Sequence, residues 1–191
     1  MDILWGSEHK KKFATNVGLI TTTGPRGDNI MAAEWTHHVS FSPGLIAVCI
    51  GPGKATAINI DATQEFGVNL AASDQNVLSS VAGGETKGKA VNKIGVLKDL
   101  GFKFFQGKKI RAKMVEDAIM QAECKLVNKI VLGDHIMYVG EVVELYPVSS
   151  KDPLIYTENK YFKLGENIKK PAPEELAKIE SIIAKHSKDH I

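Results

Sequence analysis

Residues 45–50 (LIAVCI) place six apolar side chains in a row, and Gly51-Pro52-Gly53 ends the run at once. Six residues are too few for a helix of ordinary length. A short apolar run closed by Gly and Pro reads as a strand buried on both faces. A chain built on such a strand needs other strands beside it and cover above and below. The sequence supplies both. Residues 17–23 are β-branched and apolar, GPRGDN (24–29) breaks them, and an extended pattern resumes over 30–35. Residues 37–41 are expected to continue that strand before Ser42-Pro43-Gly44 turns the chain. Residues 66–71 form another strand. Two long strands over 119–132 and 135–146 flank a turn at Gly133-Asp134, with weaker candidates at 102–105 and 110–115.

Helical spacing appears over residues 54–61, where Ala55, Ile58 and Ala62 recur. Ser73 or Asp74 is expected to cap a second helix reaching about Val81. Residues 82–93, rich in Gly and Lys, read as a mobile loop. Pro171-Ala172-Pro173-Glu174-Glu175 opens a terminal helix whose apolar stripe is Leu176, Ile179, Ile182 and Ile183. That stripe is expected to pack on the barrel or on a partner chain. The fold class is therefore mainly β with helical insertions, a closed or nearly closed barrel carrying a C-terminal helix. Residues 1–191 are read as one domain, with 171–191 as a helical appendage.

The charge balance narrows the function. Lys and Arg number 24 against 22 Asp and Glu, a net charge of +2, so no broad field favours a polyanion and no nucleic-acid partner is expected. A local basic site for one phosphate is still compatible. The longest charge-free run, between Glu34 and Lys54, is interrupted by His37, His38, Pro43 and Pro52, so no membrane helix is expected. The N-terminus lacks the pattern of a secretory leader. Cys49 and Cys124 lie far apart in apolar runs and read as buried free thiols. A reducing, cytoplasmic location fits them.

Three segments could carry chemistry. In Gly51-Pro52-Gly53-Lys54-Ala55-Thr56 a helix start offers unpaired N–H groups, Lys54 a charge and Thr56 a hydroxyl, together a cradle for a monophosphate. Alone, the same residues are more simply a Gly-Pro turn before a helix with a solvated lysine. A Walker loop is absent, because position 48 is Val and Ala55 follows Lys54. A dinucleotide fingerprint would need Gly at Thr56. In residues 30–36 (IMAAEWT), small side chains would let a flat ligand approach the backbone, and Trp35 could stack on it or fill the core. Adjacent His37 and His38 are expected on opposite faces of a strand, so they cannot share a metal, and no zinc pattern surrounds the histidines. Cys49 has no charged neighbour in sequence to activate it, and there is no Gly-x-Ser-x-Gly elbow.

Taken in order, VGLITTTGPRGDNIMAAEWTHHVSFSPGLIAVCI, KATAINI, EFGVNL and GDHIMYVGEVVEL resemble the flavin reductase-like FMN-binding family, over roughly residues 13–146. The stretch GKAVNKIG also looks like a family loop, although Ile94 stands where an aromatic is common. The resemblance implies an FMN-binding split β-barrel of Greek-key type that forms a homodimer, with FMN near the subunit interface. It implies that Ala32, Ala33, Glu34 and Trp35 lie along the flavin, and that Cys49, Ile50, Gly51 and Pro52 line its ring or ribityl chain. Lys54, Ala55 and Thr56 would hold the phosphate, Asn69 and Leu70 would place backbone groups near the ring, and Lys93 would add a contact. His135 would sit beside the ring or an incoming nicotinamide as the catalytic side chain. The implied activity is an oxidoreductase passing electrons from NADH or NADPH through FMN to an acceptor. The alternative is a flavoredoxin-like electron carrier reduced by a redox protein partner.

Overall fold

The structure is a computed structural model of the chain and describes residues 2–84 and 91–187. After a 3-10 turn at Lys10–Lys12 come β1 (Thr15–Asn16), β2 (Gly18–Gly24), β3 (Gly27–Ala33), β4 (Thr36–Phe41), β5 (Gly44–Ile50) and α1 (Ala55–Thr63). The chain continues through β6 (Glu65–Leu70), α2 (Asn76–Gly83), α3 (Lys93–Asp99), β7 (Phe104–Gln106) and β8 (Lys113–Val115). It ends with β9 (Met120–Leu132), β10 (His135–Leu145), β11 (Ile155–Thr157), β12 (Lys160–Phe162) and α4 (Pro173–His186). The protein is mainly β with a C-terminal helix, as the sequence implies.

A seven-stranded sheet runs β3-β2-β6-β9-β10-β5-β4, and every pairing in it is antiparallel. Its edge strands β3 and β4 are not paired with each other, so hydrogen bonding leaves the barrel open there. The apolar run LIAVCI is β5, held between β10 and β4 with Ile46, Val48 and Ile50 buried. These join Ile20, Ile60, Phe66, Val68, Cys124 and Tyr138 in one core. A second core forms where α2 and α3 cover β2 and β3, through Leu19, Ile30, Leu78, Ile94 and Leu97. Gly140 is required inside β10, because a Cβ there would come within 2.6 Å of the Phe66 ring and 2.7 Å of Cys124 Cβ.

Two buried carboxylates tie loops to the sheet. Glu123 on β9 accepts the backbone N–H groups of Lys108, Lys109 and Ile110 at 2.7, 2.6 and 2.9 Å, and the Tyr146 hydroxyl as well. Glu65 accepts from the Arg111 backbone at 2.8 Å and pairs with Arg111 and Lys125. Burial alone would raise both acids, but their donors hold them below the usual carboxylate range.

Several expectations are corrected. α2 begins at Asn76 after Gln75, since Ser73 instead donates its N–H to Asp152 O at 2.8 Å and Asp74 pairs with Lys151. Of the loop expected over residues 82–93, residues 85–90 lie outside the described residues. Its flanks are helical, because α2 runs to Gly83 and Asn92 caps α3 by accepting the Gly95 N–H at 2.9 Å. His37 and His38 do not diverge. Their rings approach to 4.7 Å between centroids, and His37 Nδ1 lies 3.0 Å from His38 O. Cys49 is only half-buried. The stripe of α4 is not buried against the described residues, for no residue of that helix is buried. The hairpin of β11 and β12 had no strand expectation; its strands are three residues each, too short to show periodicity.

Candidate functional site

A groove of about 1080 Å³ lies between β3, the start of α1, the end of α2, and α3. Gly53, with φ +81°, turns the chain so that α1 starts at the groove wall. Lys54 occupies the N-cap position and has no acceptor to offer the first-turn N–H groups. They therefore keep their partial positive charge for a ligand. Thr56 Oγ1 accepts from Asn29 Nδ2 at 2.7 Å, which leaves the hydroxyl hydrogen to donate elsewhere.

Lys93 enters from the opposite wall. Its ammonium donates to the carbonyls of Ala82 and Gly84, at 2.6 and 2.9 Å, and so complements the C-terminal end of α2. Burial and then the charge of Lys54 push the Lys93 proton affinity down. Two like charges thus share this part of the groove beside an uncapped helix start. An anion placed between them would gain from all three sources of positive potential.

The outer part of the groove is also cationic. Asn59, fully buried on α1, accepts the Arg26 N–H at 2.8 Å and donates to Gly27 O at 2.9 Å and Thr22 Oγ1 at 3.1 Å. This fixes the β2–β3 turn against the same helix that opens at Lys54. Asp28 pairs with Lys113 and accepts the Thr23 hydroxyl at 2.7 Å. Burial opposes its ionisation, yet these donors and the charge of Lys98 hold its carboxyl below the usual range.

A smaller pocket of about 310 Å³ lies at the corner between β3 and β4. Glu34, Trp35 and Cys49 line it, together with Thr15 and Asn16. Glu34 pairs at 2.9 Å with Lys10, whose buried ammonium sits 3.9 Å from the Trp5 ring centre. Trp35 is half exposed and its ring lies 4.5 Å from that of His135. His135 in turn is 2.8 Å from Asp134, whose carboxyl is lowered by that contact. Thr15 Oγ1 and Asn16 Nδ2 are buried there without a hydrogen-bond partner among the described residues.

The expected site residues therefore fall into three groups. Ala32, Lys54, Ala55, Thr56 and Lys93 meet in the groove. Glu34, Trp35 and Cys49 meet in the corner pocket, with His135 against Trp35. Ala33 and Ile50 are core residues, and Leu70 packs on that core. Asn69 is buried, donating to Leu19 O and accepting from the Val115 N–H at 2.9 Å each, so its side chain is committed to the fold. Gly51 and Pro52 form the turn before α1 and line neither cavity. Sequence reasoning missed Arg26, Asp28, Asn29, Lys98 and Lys113. Arg26 and Asp28 had been seen only as turn residues, and Lys113 is brought in from far along the chain.

Neither thiol is activated: burial raises the Cys49 pKa and pushes Cys124 up to about 12, with Glu123 adding to the latter. Among the described residues no cluster of three His, Cys, Asp or Glu could hold a metal. No described helix is long and apolar enough to cross a membrane.

Comparison with known proteins gives this arrangement a setting. The profile of the family described as "Flavin reductase like domain" matches residues 10–165. An uncharacterized protein of Archaeoglobus fulgidus is 29% identical over 127 residues, 66% of this chain and 69% of that protein. The protein called FMN reductase (NADH) RutF in Ancylobacter novellus is 26% identical over 145 residues, 76% of each chain. The solved structure of flavin reductase PheA2 is 30% identical, with a TM-score of 0.68 over 82% of this chain and 94% of that one. The fold is the split barrel of those reductases.

Proposed function

The chain belongs to the flavin reductase-like family, and on that premise we propose that it binds FMN and passes electrons from NADH or NADPH through it to an acceptor. The observation that carries this reading is the pairing of Lys54 and Lys93 at the uncapped start of α1. The flavin phosphate would lie between them, accepting the first-turn N–H groups and the Thr56 hydroxyl. Ala32 would let the flat ring lie against β3. When bound, the flavin supplies two-electron chemistry with a nicotinamide and one- or two-electron chemistry with an acceptor. Trp35 and His135 would form the wall that positions the nicotinamide, which makes His135 the catalytic candidate. The name FMN reductase (NADH), carried by RutF, agrees with FMN as cofactor and NADH as donor.

The test is a visible spectrum of the purified protein after FMN is added, followed by NADH or NADPH without oxygen. Bound-flavin bands that bleach with one nucleotide bear out the reading and select the donor. Failure to bind FMN removes it.

A second reading rests on the edge strand β4. Val39 and Phe41 are exposed there, Phe41 by 90%, a short distance along the chain from half-exposed Trp35. Such a surface suits a redox protein that delivers electrons in place of a nicotinamide, or the second copy of a homodimer. Bands that persist with both nucleotides but bleach with a protein donor would favour the carrier. Sedimentation at micromolar concentration tests the dimer.

A further inference from the structure

α4 is an amphipathic helix whose apolar side is left open by the described residues. Leu176, Ile179, Ile182 and Ile183 stay between 40% and 58% exposed. The helix lies outside residues 10–165, the family region, so the shared barrel does not account for it. At 14 residues it has the length at which a lone helix is only marginal in water. No side chain caps its first turn. Cover over the stripe would supply the stability that length and capping do not.

The charges along the stripe identify the cover. Glu175, Ile179, Ile182 and His186 recur at i, i+4, i+7 and i+11, one row along one face, and Leu176 and Ile183 lie beside that row. The row begins with an acid and ends with a base, and Glu174 and Lys185 repeat that order on the polar side. Turned end for end, the helix is therefore complementary to itself. Leu176 meets Ile183, Ile179 meets Ile182 and Glu175 meets His186, each pair occurring twice about a two-fold axis near position 180. The acidic first turn of each helix then lies at the basic last turn of the other, and the helix dipoles oppose. A parallel pair would set Glu175 against Glu175 and align the dipoles. An anionic lipid surface is a poorer match, because the helix carries Glu174, Glu175 and Glu180 against Lys178 and Lys185.

We infer that α4 of one copy packs antiparallel on α4 of a second copy, Leu176 against the partner's Ile183, Ile179 against the partner's Ile182 and Glu175 beside the partner's His186. Four aliphatic side chains on a helix about 21 Å long cover less than the roughly 1,200 Å² of a stable interface. The helix pair is therefore weak by itself and forms as protein concentration rises. It does not depend on the flavin reading.

The experiment is disulfide crosslinking of the full chain under mild oxidation. Leu176→Cys and Ile183→Cys are tested singly and as an equal mixture. The wild type reports background from Cys49 and Cys124, and Ser181→Cys, exposed on the opposite side of α4, reports chance collision. The expected result is that the mixture gives at least about fivefold more linked dimer than either variant alone or Ser181→Cys, since only opposed residues bring two thiols within disulfide reach. In sedimentation of the folded proteins, Ile179→Lys/Ile182→Lys should raise the dimer dissociation constant at least about tenfold. The pairing is overturned if the mixture links no better than Ser181→Cys, if Leu176→Cys links to itself as readily as to Ile183→Cys, or if the lysine variant dimerises as the wild type does. A wild type that stays monomeric at the highest concentration also overturns it, and capture of that monomer by phosphatidylglycerol vesicles would make the stripe a membrane face instead.

Discussion

Lys54 and Lys93 come from opposite walls of one groove, and the charge of Lys54 lowers the proton affinity of Lys93. Such repulsion is retained at a cost unless something negative fills the space between. Replacing Lys54 and Thr56 together by Ala should therefore weaken FMN by about tenfold to a hundredfold, the loss of one or two charge-assisted contacts. Riboflavin, which lacks the phosphate, should be affected far less. Fluorescence titration of both ligands makes the check, and equal losses would remove the cradle.

The same pair sets a pH dependence. Burial and Lys54 place the folded Lys93 below its ordinary value, so Lys93 gives up its proton earlier than an exposed lysine as pH rises. FMN affinity should then fall on the alkaline side before other lysines titrate. The Lys93→Arg variant keeps its charge there and should move that fall to higher pH. Titrations across the alkaline range measure it, and identical profiles for the two proteins would exclude Lys93.

The strands and α1 were legible because their signals are local: LIAVCI between Gly and Pro, and Ala55, Ile58 and Ala62 at helical spacing. The phosphate cradle could be read for the same reason, being one contiguous segment. The outer groove was not legible. Arg26, Lys98 and Lys113 meet only because the β2–β3 turn, α3 and β8 converge, and nothing in their sequence spacing encodes that. The family resemblance pointed to Asn69, but it could not show that both polar ends of that side chain are consumed within the fold. The approach of His37 to His38 was equally hidden, since period-two alternation fixes where a side chain leaves the strand and not where its ring ends.

His135 packs against Trp35, which lines the corner pocket, whereas Lys54 and Lys93 line the groove. His135→Ala should lower the rate of anaerobic flavin bleaching by about tenfold or more while leaving FMN affinity within about twofold. Stopped-flow reduction with NADH and NADPH separates the two effects. An unchanged rate with both donors would take His135 out of the reaction.

Glu123 should govern acid sensitivity. Its folded pKa lies below the unfolded one, because three backbone N–H groups and Tyr146 favour the carboxylate against the opposing effect of burial. The unfolded chain thus binds the proton more readily. The stability Glu123 contributes is present above the ordinary carboxylate range and is lost as pH falls through the lowered folded value. Glu65 adds to the same trend. Glu123→Gln should cost roughly 3 kcal/mol near neutral pH and flatten the acid limb of the stability curve. Urea melts from neutral to acid pH provide the comparison.

The terminal helix should be dispensable to the core. α4 satisfies its own backbone and is well formed for its length, with Pro173 at its start, Glu174 and Glu175 in the first turn and Lys185 and His186 in the last. Yet none of its residues is buried, and Leu176, Ile179, Ile182 and Ile183 remain about half exposed. A helix with no buried residue contributes little to the free energy of folding the sheet. Removing residues 171–191 should shift the melting temperature of the monomeric barrel by no more than about 2 °C, or about 0.5–1 kcal/mol in a domain of this size. FMN affinity should be unchanged, because no described residue of that segment lines either cavity. A larger fall in melting temperature that grows with protein concentration would assign the stripe to contact between two copies, since only an interface makes stability depend on concentration.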